Sequence, residues 1–303
     1  MLLKPRTEST ELQIMSSLYT RMTLSDKDQK HFFNLQKGFE GEVMFDRLTE
    51  KLQCECLILN DLLLKTNNTI FQLDTLILLP DTLYLFEVKN FEGDYFYESD
   101  QIYSKARSEI TNPLLQLSRS ESLLRQLLTS LRFKLPIVSS VVFINPGFTL
   151  YQAPIDKPFI FPTQINRYLK KLDSYPLKLN EQHRKLADQL ISLHLPTSPF
   201  TQVPSYNFDQ LKKGIICAAC RSFSIDFFGK NCICKVCEHK ETVGDAVMRS
   251  VREFQLLFPD EKITTNVIYE WCGGVGSKRI IRKILKENFT IVGVHQWAYF
   301  IDN

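Results

Sequence analysis

Ile70-Phe71-Gln72-Leu73-Asp74-Thr75-Leu76-Ile77-Leu78-Leu79, a turn at Pro80-Asp81, then Leu83-Tyr84-Leu85-Phe86-Glu87-Val88-Lys89-Asn90 is the stretch that decides the fold. Two apolar, β-prone runs around a Pro-Asp turn predict an antiparallel hairpin. A turn centred on Pro80-Asp81 sets Asp74 opposite Glu87, and the two-residue strand period places Lys89 on the face of Glu87. Charges inside such apolar strands are costly unless paired or metal-bound, and carboxylates opposed across a ladder repel. A divalent cation between Asp74 and Glu87 removes that cost, and Mg²⁺ or Mn²⁺ selects carboxylates and waters. Lys89, one step beyond, could orient an attacking water or offset charge on a phosphorane. The set points to metal-assisted phosphodiester cleavage. A Glu-x-Lys pair on a strand is more often a solvated face, but the apolar context of Glu87 and Lys89 argues against that here.

Working outward, residues 1–37 read as two helical stretches. Gly38-Phe39-Glu40-Gly41-Glu42 is expected to open a helix running to about residue 52, with Phe45, Leu48 and Leu52 on one face. Short strand-like patterns fill about residues 55–105. Asn112-Pro113 is a helix start, with Asn as N-cap and Pro at the first position. Ile137 to Ile144 reads as a further buried strand, and helices are expected at about 163–172 and 179–193. This order predicts an α/β fold, a mixed sheet flanked by helices.

Gly38-Phe39-Glu40-Gly41-Glu42, Gln72-Leu73-Asp74, Glu87-Val88-Lys89-Asn90-Phe91-Glu92-Gly93 and Asn112-Pro113-Leu114-Leu115-Gln116 together resemble the nuclease-related domain family, NERD, over about residues 30–145. That family is related to the PD-(D/E)XK restriction-endonuclease fold, so the resemblance implies a restriction-endonuclease-like sheet and a nuclease-like activity. It implies Asp74 and Glu87 as metal ligands and Lys89 as the catalytic lysine. Glu42 on the first helix would be a further acidic contributor, and Gln116 a polar residue directed at the site. Taken alone, Glu42 and Gln116 are equally readable as surface or capping side chains.

Five of the eight cysteines lie between residues 217 and 237. Cys217-Ala218-Ala219-Cys220 and Cys234-Lys235-Val236-Cys237 are two C-x-x-C knuckles, the signature of a structural zinc ribbon closed by four thiolates. Cys232 and His239 are nearby alternatives for the fourth ligand, and Cys234 is preferred because it makes the knuckles symmetrical. Phe223, Ile225 and Phe227 alternate as a strand would. Cys54 and Cys56, expected on one strand face, and Cys272 read as core residues. So small a segment has little core, and zinc binding worth about 10–16 kcal/mol would decide its folding.

Residues 263–301 read as helix, Gly-rich turn at Gly273-Gly274-Val275-Gly276, helix, and a hairpin of Phe289–Val292 and Gln296–Ile301, a winged helix-turn-helix-like unit. Lys278, Arg279, Arg282, Lys283 and Lys286 lie opposite an apolar stripe of Ile281, Ile284 and Leu285. They are candidates for phosphate contacts, with a solvated helix face as the plain alternative.

The composition, 44% hydrophobic and 23% charged with a net charge of +3, is that of a globular protein, and the overall charge does not point to nucleic acid. Met1–Arg6 has no apolar h-region, and no run is long enough for a membrane span; a cytoplasmic chain without a membrane partner is expected. Three prolines within 195–206 mark a linker. The expected organisation is therefore residues 1–195 nuclease-like, 196–206 linker, 207–240 zinc ribbon and 241–303 helix-turn-helix-like. The leading expectation is a nuclease acting on DNA, with RNA as the alternative substrate. A non-catalytic nucleic-acid-binding protein that keeps the fold is the competing one, and an interaction scaffold the third.

Overall fold

The structure, a computed structural model, describes residues 1–174, 178–274, 276–294 and 297–302. The chain opens with β1 (Leu2–Lys4), α1 (Thr10–Arg21) and the long helix α2 (Asp26–Thr49). Strands β2 (Leu57–Thr66), β3 (Thr69–Leu78), β4 (Leu83–Lys89), β5 (Gly93–Glu98), β6 (Gln101–Ser104) and β7 (Glu109–Ile110) follow. Helix α3 (Pro113–Ser130), strands β8 (Ile137–Phe143), β9 (Phe148–Tyr151) and β10 (Phe159–Ile160), and helices α4 (Pro162–Asp173) and α5 (Glu181–Ser192) come next. The remainder holds β11 (Ile225–Phe228), β12 (Asn231–Cys234), β13 (Lys240–Thr242), α6 (Val243–Leu257), α7 (Thr265–Trp271), α8 (Lys278–Asn288), β14 (Thr290–Val292) and β15 (Tyr299–Ile301). These elements form two compact units, Met1–Ser9 with Phe33–Thr201, and Thr10–Phe32 with Gln202–Asn303. None of the described helices is long and apolar enough to cross a membrane.

The first unit is a mixed α/β fold. Its main sheet has the order β1-β2-β3-β4-β8-β10, antiparallel at β2/β3 and β3/β4 and parallel at β1/β2, β4/β8 and β8/β10. Leu83 and Leu85 of β4 enter one core with Leu117, Leu124 and Leu128 of α3 and Leu186 and Leu190 of α5. Phe86 and Val88 enter the opposite core with Phe45 of α2 and Ile165, Leu169 and Leu172 of α4. Alternate residues of one strand thus feed two cores, the demand of a sheet covered on both faces. A second sheet, β7-β6-β5-β9, was not foreseen. The left-handed backbone of Gly93 (φ +94°) stands at the start of β5, where the chain leaves the main sheet.

The β3/β4 turn pairs Leu78 with Leu83 and Thr75 with Phe86, the register anticipated from Pro80-Asp81, but the ladder ends there, so Asp74 and Glu87 are not the opposed ladder pair expected. On β2, Leu57 and Leu59, then Leu62 and Leu64, line one core; on β3, Phe71 and Leu73, then Leu76 and Leu78, line the same one. Strict alternation would move each later pair to the other face. Each strand therefore carries one extra residue, Asp61 (φ +54°) on β2 and Asp74 on β3, between the pairs Asn60↔Thr75 and Leu62↔Leu73. This local departure from the ladder frees the Asp74 peptide and carboxylate for other partners.

Gly38 and Gly41 do not open a helix; they lie inside α2, which starts at Asp26. A Cβ built on Gly41 would come 2.4 Å from Asn90 Cβ, so this glycine lets the helix approach the end of β4. Cys54 and Cys56 precede β2 rather than share a strand face, and Cys56 is buried. Helix α3 starts as expected, with the Asn112 side chain accepting from the Leu114 N–H at 3.0 Å.

In the second unit, α1 belongs with the C-terminal helices, although its sequence position attached it to the N-terminal half. Arg21, with no side-chain exposure, pairs with Glu253 of α6 at 2.6 Å and lies over the Trp271 ring at 3.9 Å. It also donates to the carbonyls of Lys212 and Gly214. A fully buried guanidinium needs such a complete set of partners. Strands β11, β12 and β13 form an antiparallel sheet, and β14 pairs with β15. Helix α6 was not anticipated; α7 and α8 flank the expected Gly-rich turn and carry Thr264 and Ser277 as N-caps. Val275 of that turn and Gln296 of the expected hairpin lie outside the described residues.

Candidate active site

Asp74 of β3, the end of β4 and the start of α3 build the site. Asp74, 6% exposed, accepts the Val88 N–H through Oδ2 at 2.8 Å, taking an amide of β4. Glu87, 3% exposed, projects from the next position and lies 2.7 Å from Lys89 Nζ. Its Oε1 makes that charge contact but has no hydrogen bond of good geometry. Lys89 Nζ donates to Gln116 Oε1 at 3.0 Å, so α3 and β4 meet through this pair. Asp74, Glu87, Lys89 and Gln116 therefore lie along one short polar path at the C-terminal end of β4.

Glu42 reaches the same region through Arg6. The guanidinium of Arg6, 2% exposed at its side chain, donates to Glu42 Oε2 at 2.6 Å, to Asp46 Oδ2 at 2.9 Å and Oδ1 at 3.2 Å, and to the Asp74 carbonyl at 2.6 Å. Strand β1 delivers this arginine to the site by pairing with β2. Sequence reasoning missed Arg6 and Asp46. Asp46 was legible as the residue one helical turn after Glu42; nothing local to Arg6 marks it, because its partners lie far along the chain.

The electrostatics follow from burial. Glu87 is pushed up to about 8, first by desolvation and then by Asp74, against the pull of Lys89. Glu42 is pushed up to about 8 by desolvation and then Asp74, against Arg6. Burial likewise raises Asp74, opposed by Lys89 and the Val88 N–H. Burial works to lower Lys89, but Glu87 and Asp74 outweigh it and hold the ammonium charged. A site that penalises its own carboxylates in this way suits a cation. The under-bonded Glu87 Oε1 and the hard oxygen donors of Asp74 and Glu87 fit a divalent metal ion. Glu42, Asp74 and Glu87 do not close into a tight three-carboxylate cage among the described residues.

The four knuckle cysteines do close. The Sγ atoms of Cys217, Cys220, Cys234 and Cys237 all lie within 4.8 Å of one another, a cluster that could hold a metal ion. The Ala219 and Val236 amides point at Cys217 and Cys234 Sγ, each at 3.4 Å. The Cys237 amide first, opposed by desolvation and helped by the Val236 amide, brings the Cys234 thiol down to about 7. Cys232 is buried with its thiol toward the Glu241 carbonyl, and neither it nor His239 joins the cluster. In α8, Lys278, Arg279, Arg282, Lys283 and Lys286 are all exposed, opposite buried Ile281, Ile284 and Leu285.

No curated protein and no solved structure matches this chain. A family model does match: residues 37–144, the segment that supplies Glu42, Asp74, Glu87, Lys89 and Gln116, are matched by the nuclease-related domain, NERD.

Proposed function

We propose that this protein is a divalent-metal-dependent nuclease that hydrolyses phosphodiester bonds in DNA. The observation that carries the reading is the pair of buried carboxylates, Asp74 and Glu87, beside Lys89 at the end of β4, inside a segment matched to a nuclease-related domain. Asp74 and Glu87 would hold Mg²⁺ or Mn²⁺. Such an ion lowers the pKa of a bound water and neutralises charge on phosphate oxygens.

The chain's own residues do the rest. Lys89, held between Glu87 and Gln116, presents an ammonium that can orient a water or meet charge developing on the phosphate. Arg6 anchors Glu42 and the Asp74 peptide, so the carboxylates are held before substrate arrives. In the second unit we read Cys217, Cys220, Cys234 and Cys237 as a structural zinc ribbon, four thiolates leaving no position open for catalysis. We read 241–303 as a winged helix-turn-helix-like unit whose Lys278, Arg279, Arg282, Lys283 and Lys286 take phosphates.

The test is incubation of the purified chain with plasmid, linear duplex and single-stranded DNA, with Mg²⁺, with Mn²⁺ and with chelator. Glu87→Gln and Lys89→Ala are assayed beside it after a check of folding. Metal-dependent cleavage lost in both variants is the expected result. Cleavage that survives in both refutes the site. Salt-sensitive binding without cleavage of any substrate moves the reading to a non-catalytic nucleic-acid-binding protein.

A further inference from the structure

Helix α8 and the hairpin after it combine two features. The helix exposes five cations, and among the described residues its Arg279, Arg282 and Lys286 have no ion-pair partner, while Lys283 meets Glu287 at 3.7 Å. The β14/β15 hairpin then exposes Val294 by 71% and Trp297 by 77%. The Trp297 N–H donates to the Val294 carbonyl at 3.2 Å, and Gly293 (φ +84°) supplies the left-handed residue of this bend. The other of the chain's two tryptophans, Trp271, is fully buried against Arg21 and Phe254.

An indole held in water at a hairpin tip contributes nothing to a core. Its ring faces are open to a flat partner, and the unpaired cations of the preceding helix select a polyanion. A blunt duplex offers phosphates but no free base face apart from its ends. A single strand offers both, and stacking of bases on aromatic side chains over a cationic track is how such strands are held.

We propose that Trp297 stacks on an unpaired base of a single-stranded nucleic acid whose phosphates lie along the cations of α8. This rests on the reading of α8 as a nucleic-acid contact and assigns the strand state of its partner.

The two tryptophans make the test direct. The full chain, in buffer without added divalent metal, is titrated with a thymidine oligonucleotide and with a blunt duplex of two complementary strands, following tryptophan emission. The oligonucleotide is expected to quench the exposed, red-shifted emission, and Trp297→Phe to remove that component. Trp297→Ala is expected to weaken oligonucleotide binding by about ten-fold or more and to leave duplex binding largely unchanged. Unchanged Trp271 emission confirms that the variants fold. Oligonucleotide binding unaltered in Trp297→Ala, or equal losses on both ligands, overturns the stacking role and leaves α8 as a duplex contact. A blue shift on phosphatidylserine vesicles with no response to the oligonucleotide overturns it in favour of a membrane surface. No binding to either nucleic acid overturns this proposal and the reading of α8 together, while the cleavage assay on the first unit stays an independent result.

Discussion

Two glycines three residues apart in one helix should respond to the same substitution with opposite signs. Gly38 and Gly41 both lie within α2, where alanine is favoured over glycine by about 0.5–1 kcal/mol. At Gly38 an added Cβ meets nothing within 4 Å, so Gly38→Ala should stabilise the protein by that amount. At Gly41 the same atom would lie 2.4 Å from Asn90 Cβ. Asn90 Cβ is bound to the backbone at the end of β4, so the clash cannot be relieved by rotating a flexible side-chain tip. Overpacking of this kind costs roughly 1–3 kcal/mol. After the propensity gain, Gly41→Ala should be destabilising by roughly 1–2 kcal/mol, or about 2–8 °C in a unit of this size.

Asn90 also donates to the Lys37 carbonyl at 2.8 Å and accepts from Asn145 at 3.0 Å, and it directly follows Lys89. Displacing it should therefore weaken Mn²⁺ binding in Gly41→Ala and leave it unaltered in Gly38→Ala. Denaturant unfolding and Mn²⁺ titration read the two effects separately. If Gly41→Ala stabilises as much as Gly38→Ala, the close approach of α2 to β4 is wrong, and with it the account of why this glycine is there.

Arg6→Gln should cost about 3–5 kcal/mol, because Glu42 and Asp46 lose a buried partner. Arg6→Lys should restore little of it, since an ammonium lacks the fork that spans both Asp46 oxygens; a denaturant series in which lysine rescues fully contradicts the bidentate role. Raised carboxyl pKa values favour folding while the groups are protonated. Their contribution is complete below about 4.5 and is lost as pH rises towards about 8 for Glu42 and Glu87. Metal-free protein should thus lose stability between those values, and Glu87→Gln should flatten the slope; stability rising across that window in unfolding curves contradicts the assignment. Cys217→Ser should abolish zinc retention and loosen the β11–β13 sheet, followed by metal analysis and amide exchange. Retention of zinc with unchanged exchange would remove the four-thiolate site.

What the sequence determined was local. The Pro80-Asp81 turn set the register of β3 and β4, Asn112-Pro113 set the start of α3, and the two C-x-x-C knuckles marked the cysteine cluster. Each rests on interactions within a few residues, or on a ligand set whose spacing is itself the signal. The leucine steps on β2 and β3 carried a further sign, since their alternation breaks at Asp61 and Asp74, but a broken period becomes informative only once both halves share one core.

Only the tertiary structure decided the rest. It brought Arg6 to Glu42, Asp46 and the Asp74 carbonyl, explained Gly41 by the nearness of Asn90, and joined Gln116 to Lys89. It also carried α1 to the C-terminal helices, where the buried charge of Arg21 finds Glu253 and Trp271. These partners are separated by tens to hundreds of residues along the chain. Side-chain periodicity reports which face of an element is apolar, but not which distant element covers it, so charge pairing and close backbone approach are settled only when the layers pack.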